Sequence, residues 1–328
     1  MIDVGMMREM YCKGVKAMMR IEAQSEKNGR RLWKRVMMYK HIYIILLPAI
    51  IFYLVFCYAP MGGLVIAFEK FSITKGILGS QWVGLKNFKT FLTDVHFFRL
   101  LRNTLMINFW ELLFGFPAPI IFALLLNEVR CMRFKKAVQT ITYMPHFLSV
   151  VVVAGLVLTF VSSGGLINSI IEMFGGERIA FMTEPKYFYR IYVISDIWQQ
   201  LGWNSIIYIA ALASVDQELY EAATIDGAGR WQQLLHVTIP GIMGTIMILL
   251  IMRIGRMLTI GYDKILLLYN DSILETADVI STYVYRRGLL DGDYSYSAAV
   301  GMFNSVINFI FLVTANKISK KATGSSLW

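Results

Sequence analysis

The sequence predicts an all-α integral membrane protein with six membrane-spanning helices. Three observations lead there. Hydrophobic residues make up 56% of the 328 and charged residues only 16%, a balance far from that of a soluble domain. Mean hydropathy is +0.54. The apolar residues also gather into six continuous runs, near 41–67, 104–126, 143–161, 189–215, 240–262 and 297–315. Each is long enough to cross a hydrocarbon core of about 30 Å at a rise of 1.5 Å per residue. Continuous runs imply helices, because a membrane barrel would alternate apolar and polar residues.

The first element is a basic segment over residues 1–40. Ten Lys or Arg stand there against four Asp or Glu, over half of the chain's net charge of +10. Such a cluster just before an apolar span is the cytoplasmic flank of a membrane helix. With no recognition motif beside it, the charge does not indicate nucleic acid. The charged stretch is too long for a cleaved signal peptide, so the first run is expected to remain as an anchor. Arg130, Arg133, Lys135 and Lys136 follow the second run, Arg230 follows the fourth, and Lys317, Lys320 and Lys321 follow the sixth. Six crossings put all of these on the side of the N-terminus. The positive-inside rule then makes both termini cytoplasmic, with 41–321 as the membrane domain and 322–328 as a short tail. Lys70, Lys75, Lys86 and Lys89 fall on the other side, so the N-terminal cluster sets the orientation. Cys12, Cys57 and Cys131 are scattered, which disfavours a disulfide framework.

Between the fourth and fifth runs lies a loop, 217–240, too polar to span. Glu221, Ala222, Ala223 and Ile225 suit a short helix, and Gly227, Ala228 and Gly229 supply a tight break. A second short helix is expected over 230–237, with Trp231, Leu234 and Leu235 at helical spacing, and Pro240 fits the first turn of the next span. Glu221, Ala222, Ala223, Asp226, Gly227, Ala228, Ile239 and Pro240 resemble the EAA loop of binding-protein-dependent ABC import permeases. A second resemblance lies in Tyr58, Pro60, Met61 and Gly62, then Gly76, Ile77, Gly79, Trp82 to Leu85, Asn87 and Phe88. It continues in Asn103-Thr104, Met144-Pro145 and Gly261-Tyr262, and is to the MalF/LplB-like sugar permeases of that family. Where that branch has an acidic residue and an amide after the Gly-aromatic pair, this sequence has Asp263 and Lys264.

The resemblance implies a type I ABC importer permease fold in the plasma membrane. It implies as partners a second homologous permease, a cytoplasmic ABC ATPase dimer and an extracytoplasmic solute-binding protein. No cofactor is expected in this chain, ATP and Mg being held by the ATPase. On this reading Glu221 pairs with a basic ATPase residue, Ala222 and Ala223 allow close approach, and Gly227 permits the bend. Chain chemistry agrees with a role outside catalysis. There is no G-x-x-x-x-G-K-[ST] phosphate loop, His41, His96, His146 and His236 form no H-E-x-x-H, and no G-x-S-x-G elbow occurs.

Polar residues inside spans mark candidate pathway positions. Gln200 and Asn204, and Gln199 and Trp203, are pairs four apart in the fourth run. Amides and aromatic faces together suit a sugar's hydroxyls and its apolar side, though interhelical bonding explains them equally. Tyr262, Asn304 and Asn308 are pathway or packing residues on the same reasoning. Arg253 and Arg256 in the fifth run have three explanations: snorkelling, pairing with an acidic side chain, or contact with an anionic solute. The function expected is import of an oligosaccharide or related carbohydrate. Its rivals are an ABC permease for a non-sugar solute, an ion-coupled secondary carrier and a membrane-bound enzyme.

Overall fold

The computed structural model describes residues 37–328; the basic N-terminal segment lies outside these as far as residue 36. The chain divides into two units, Met1–Leu64 and Val65–Trp328. The first holds most of α1 (Lys40–Phe68), whose opening sequence KHIYIILLPAIIF is apolar all round. The second holds α2 (Lys86–Leu92), α3 (Phe97–Glu128), α4 (Met132–Tyr143), α5 (Val150–Val161), α6 (Leu166–Met173), α7 (Pro185–Ala213), α8 (Gln217–Ile225), α9 (Arg230–Ile254), α10 (Tyr262–Leu268), α11 (Ile280–Tyr285) and α12 (Tyr294–Thr323). A two-strand ribbon, β1 (Glu69–Lys70) against β2 (Gln81–Trp82), precedes α2 and pairs Glu69 with Trp82.

Among the described residues, five helical stretches are long and apolar enough to cross a membrane: α1, α3, 150–173, α9 and α12. The 29-residue α7 is also long enough. Its Asp196, Gln199, Gln200 and Asn204 lower its hydropathy, so it stands apart as the polar member of the set.

Several boundaries differ from those read in the apolar runs. The third run does not start a helix at Tyr143: Pro145 sits in a 3-10 turn, Met144–Phe147, and Leu148 and Ser149 are extended. Ser149 Oγ then accepts from Val152 N–H and caps α5. The fifth run stops at Ile254 rather than 262, and the sixth extends to Tyr294 and Thr323. There Asp293 caps the start of α12, and Gly324, at φ 73°, ends it. The expected second short helix over 230–237 is continuous with the following span through a π turn, Leu234–Thr238. Similar turns, Tyr53–Tyr58 and Glu111–Gly115, lie in α1 and α3. All three end two residues before a proline, respectively Pro240, Pro60 and Pro117. A proline removes one donor from the helix ladder and crowds the carbonyl of the preceding turn, so the ladder widens just ahead of it.

Helix α7 is the central strut. At one end Phe188, Tyr192 and Val193 join Ile107 of α3, Val153 and Val157 of α5, and Ile265 and Leu268 of α10 in one apolar core. At the other, Tyr208 and Leu212 meet Ala123 of α3 and Ile242 of α9. Between these cores its buried positions are Ser195, Gln199, Gly202 and Ser205, a small and polar middle.

Asn103 and Thr104 tie α3 to the segment after α10. Asn103 Nδ2 donates to the carbonyls of Glu275 and Asp278, both at 2.8 Å, and Ile280 N–H donates to Thr104 Oγ1 at 3.1 Å. Asp278, 2% exposed, carries Arg286 at 2.7 Å and Arg99 at 3.4 Å. Nearby, Asp94 precedes α3. Burial opposes its ionisation, but His96 N–H and the hydroxyls of Tyr283 and Tyr296 donate to it and hold its carboxyl below the ordinary 3.8. A depressed folded value stabilises the fold fully above the unfolded value, and that contribution is lost as pH falls below 3.8 through the folded value. Asp94→Asn is therefore expected to flatten the acid limb of the detergent-phase Tm against pH. An unchanged limb would show that these hydrogen bonds do not favour the ionised form.

Candidate functional site

Two regions hold most of the residues singled out by sequence. The first is the loop between α7 and α9. Asp216 caps α8, its Oδ1 accepting from Glu218 N–H at 3.0 Å, so the helix starts with an acidic first turn that suits its dipole. Gly227 ends it at φ +78°, a conformation costly for any residue with a Cβ. Gln233 locks the turn, donating to Thr224 Oγ1 at 3.0 Å and Ala228 O at 3.1 Å. Tyr220 OH meets Thr238 Oγ1 at 3.0 Å, which fastens α8 to the base of α9. Glu221, Ala222, Asp226 and Gly227 are exposed, whereas Ala223 and Ala228 are half-buried. Ile225 and Trp231 are 87% and 77% exposed. The loop is thus bound internally at several points and yet shows two large apolar side chains to its surroundings. A cavity of about 650 Å³ beside it is lined by Glu128, Val215, Tyr220, Glu221 and Thr224.

The second region is the middle of the helix bundle. Asp196, Gln200 and Asn204 lie at i, i+4 and i+8 on α7 and face one cavity of about 310 Å³, together with Glu111, Arg253 and Arg256. A second cavity, about 320 Å³, is lined by Glu111, Asp196, Gln199, Gln200, Arg253, Asp263 and Lys264. Two ion pairs join at these cavities, with Glu111, Arg253 and Asp196 bordering both and Lys264 only the second. Glu111 of α3 pairs with Arg253 of α9, which also reaches Asn108 Oδ1 at 3.4 Å. Lys264 Nζ meets Asp196 Oδ1 at 3.2 Å and lies 5.0 Å from the centre of the Tyr192 ring. The α3 carboxylate enters the bundle at the first residue of its π turn.

The structure sorts the sequence candidates. Gln199, Gln200, Asn204, Arg253 and Arg256 line these cavities. Gln200 Oε1 is held by His146 Nδ1 at 2.9 Å, and the His146 ring stacks on Trp203 at 4.3 Å, so Trp203 sits behind the wall. Tyr262 stacks on Tyr285 at 5.5 Å and borders neither cavity. Asn308 binds the turn after α9, accepting from Leu258 N–H and donating to Thr259 Oγ1, both at 2.9 Å. Asn304 also lies outside both cavities, and its Oδ1 is buried without a partner. Of the three explanations for the arginines, Arg253 takes the ion pair. Glu111, Asp196 and His146 join the site although sequence patterning does not single them out. For Asp196 a signal exists, since it is the next position, four residues back, on the Gln200–Asn204 strip.

The family described as "Binding-protein-dependent transport system inner membrane component" matches residues 91–323. The chain belongs to this family. It is a membrane-embedded permease component and not an enzyme. The permease is 46% identical over 297 residues to the polygalacturonan/rhamnogalacturonan transport system permease protein YteP of Bacillus subtilis, covering 90% of this chain and 92% of that one. It is 46% identical over 283 residues to protein LplB of the same organism, covering 86% and 89%. In fold it matches a bacterial ABC transporter involved in the import of the acidic polysaccharide alginate. The TM-score is 0.82 and identity 44%, over 89% of this chain and 99% of that one. A second structure of a bacterial alginate ABC transporter, in complex with an alginate pentasaccharide-bound periplasmic protein, matches at TM-score 0.82 and 43% identity, over 90% of this chain and all of that one.

Proposed function

We propose that this permease forms half of the membrane path of an ATP-driven importer for oligosaccharides that carry carboxylates. The observation that carries the reading is the α7 strip Asp196–Gln200–Asn204 facing Arg253 and Arg256 across an open cavity. Amides, carboxylates and guanidinium groups around one cavity supply both donors and acceptors for sugar hydroxyls, and the arginines add a cationic element. The names of the relatives, which concern polygalacturonan and alginate, support the same cargo class. At about 310 Å³ the cavity is smaller than an oligosaccharide needs, which fits a path completed by a second homologous permease.

The assembly on this reading also contains a solute-binding protein outside the plasma membrane and an ABC ATPase dimer inside it, where ATP and Mg are bound. Both termini of the permease lie on the ATPase side. The exposed α8 surface, with Glu221 and the small residues Ala222 and Ala223, is where the ATPase engages. Its closure would move α8, and the hydrogen-bonded turn at Gln233 would pass that movement to α9, which carries Arg253 and leads into the turn that holds Arg256.

The test is uptake by proteoliposomes holding the complete assembly. Short galacturonate oligosaccharides should enter with ATP supplied on the ATPase side and stay out without it. Uptake that runs on an ion gradient and ignores ATP would overturn the proposal, as would entry of neither this sugar nor its carboxyl-reduced form.

A further inference from the structure

The cavity beside Arg256 is bordered by two carboxylates, Glu111 and Asp196, and two arginines. An anionic cargo would meet repulsion from uncompensated carboxylates. Both are compensated, each by a cation from another helix. Arg253 answers Glu111, and Lys264, reaching from behind the wall, answers Asp196. The lysine side chain is only 6% exposed while Asp196 is 31% exposed, so Asp196 meets the cavity and Lys264 does not. Arg256, in the turn that follows α9, is exposed, lines the cavity and makes no ion pair among the described residues. Asp263 adds a further carboxylate, but it borders only the neighbouring cavity on the Lys264 side.

We infer that Arg256 is the residue that reads the carboxylate of the cargo, and that Lys264 is a positioning residue that sets the sign of the cavity by neutralising Asp196 from behind. The two arginines of the fifth span thus have different roles. Arg253 is taken up by Glu111 and holds α9 to α3; Arg256 keeps its guanidinium free for bidentate contact. Lys264 is retained in the interior because its charge is needed there. A buried ammonium is stable only with its partner, and the partner is harmless to an anion only with the ammonium. This inference rests on the carbohydrate-import reading above and assigns the acid selectivity within it to named residues.

The experiment compares KM for galacturonate oligosaccharides with KM for the same chains after carboxyl reduction, in proteoliposomes of the full assembly with a fixed, saturating amount of binding protein. Arg256→Gln should raise KM for the acidic chains by about tenfold, the loss of one charge-assisted contact, and leave the reduced chains unchanged. Lys264→Gln should act in the same direction although its side chain borders only the neighbouring cavity. Asp196→Asn with Lys264→Gln should return the ratio of the two KM values to that of the wild type, and Lys264→Arg should hold it. A merely structural pair predicts otherwise: equal effects on both sugars, or no rescue by the second neutral substitution. Either result overturns the inference while leaving carbohydrate import intact. Wild-type uptake of the reduced chains alone would also overturn it, and uptake of neither sugar would remove both readings. If Lys264→Gln does not assemble, Arg256→Gln decides by itself.

Discussion

Gly202→Val is expected to prevent stable packing of α7 against α4. A Cβ at this position would lie 2.3 Å from the carbonyl oxygen of Thr142 and 2.7 Å from Cδ1 of Tyr143. The first is backbone and has no rotamer to move. Overpacking of a side chain against side chains costs about 1–3 kcal/mol, and a backbone clash on the central helix belongs at the top of that range or above it. The consequence extends beyond local fit, because α7 carries the polar strip between its two apolar cores. Moving it off α4 would also pull Gln200 away from His146, which lies just beyond that helix. The measurement is thermal unfolding and size-exclusion behaviour of the purified protein in detergent. Valine should lower Tm by several degrees or yield no monodisperse peak, and Gly202→Ala should show a smaller loss of the same sign. A valine variant with wild-type Tm would mean that the two helices are not in backbone contact.

Gly227→Pro should abolish coupling while leaving the membrane helices folded. Two faults combine at one residue. Proline fixes φ near −65°, whereas Gly227 holds φ +78°. It also lacks the N–H that donates to Thr224 O at 3.1 Å. The turn that fastens α8 to α9 would be rebuilt, with Gln233 losing the Ala228 carbonyl it now binds. Because the loop is exposed, little of the apolar core is affected, so detergent-phase Tm should change far less than for Gly202→Val. Substrate-stimulated ATPase activity and transport should fall at least about tenfold. Glu221→Lys reverses an exposed charge without altering the backbone, and it would set like charges against each other at a contact with a basic partner, which disfavours docking. Loss of transport with both variants, at normal Tm, is the signature of a coupling surface. Normal ATPase association and normal transport in both would show that the loop is an ordinary connection.

The α8 loop is legible in the sequence because its signals are local. Helix formers from Glu221 through Ile225, a glycine that must turn and a proline that opens the next span are all read within one stretch of chain, while the cap at Asp216 emerges only in the structure. The six apolar runs are legible for the same reason, since lipid demands continuous hydrocarbon whatever the neighbours are. Their ends are less so. Pro240 implies a break between two helices, yet the ladder widens and runs on through Leu234–Thr238. Conversely the third run breaks at Leu148 and Ser149, where the apolar composition gives no warning.

The central site divides along the same line. Gln199, Gln200 and Asn204 stand out as amides in a span, and Arg253 and Arg256 as costly charges. Their partners do not, because Glu111 is 142 residues from Arg253 and Asp196 is 68 residues from Lys264. Sequence by itself determined that this is a helical membrane protein with a polar loop between its fourth and fifth spans, since hydrophobic length and turn chemistry act within a few residues. Only the tertiary structure decided which of these charges are neutralised and that Arg256 makes no ion pair among the described residues. An ion pair exists where helices distant in sequence bring two groups within a few ångströms, and spacing along the chain carries no record of that distance.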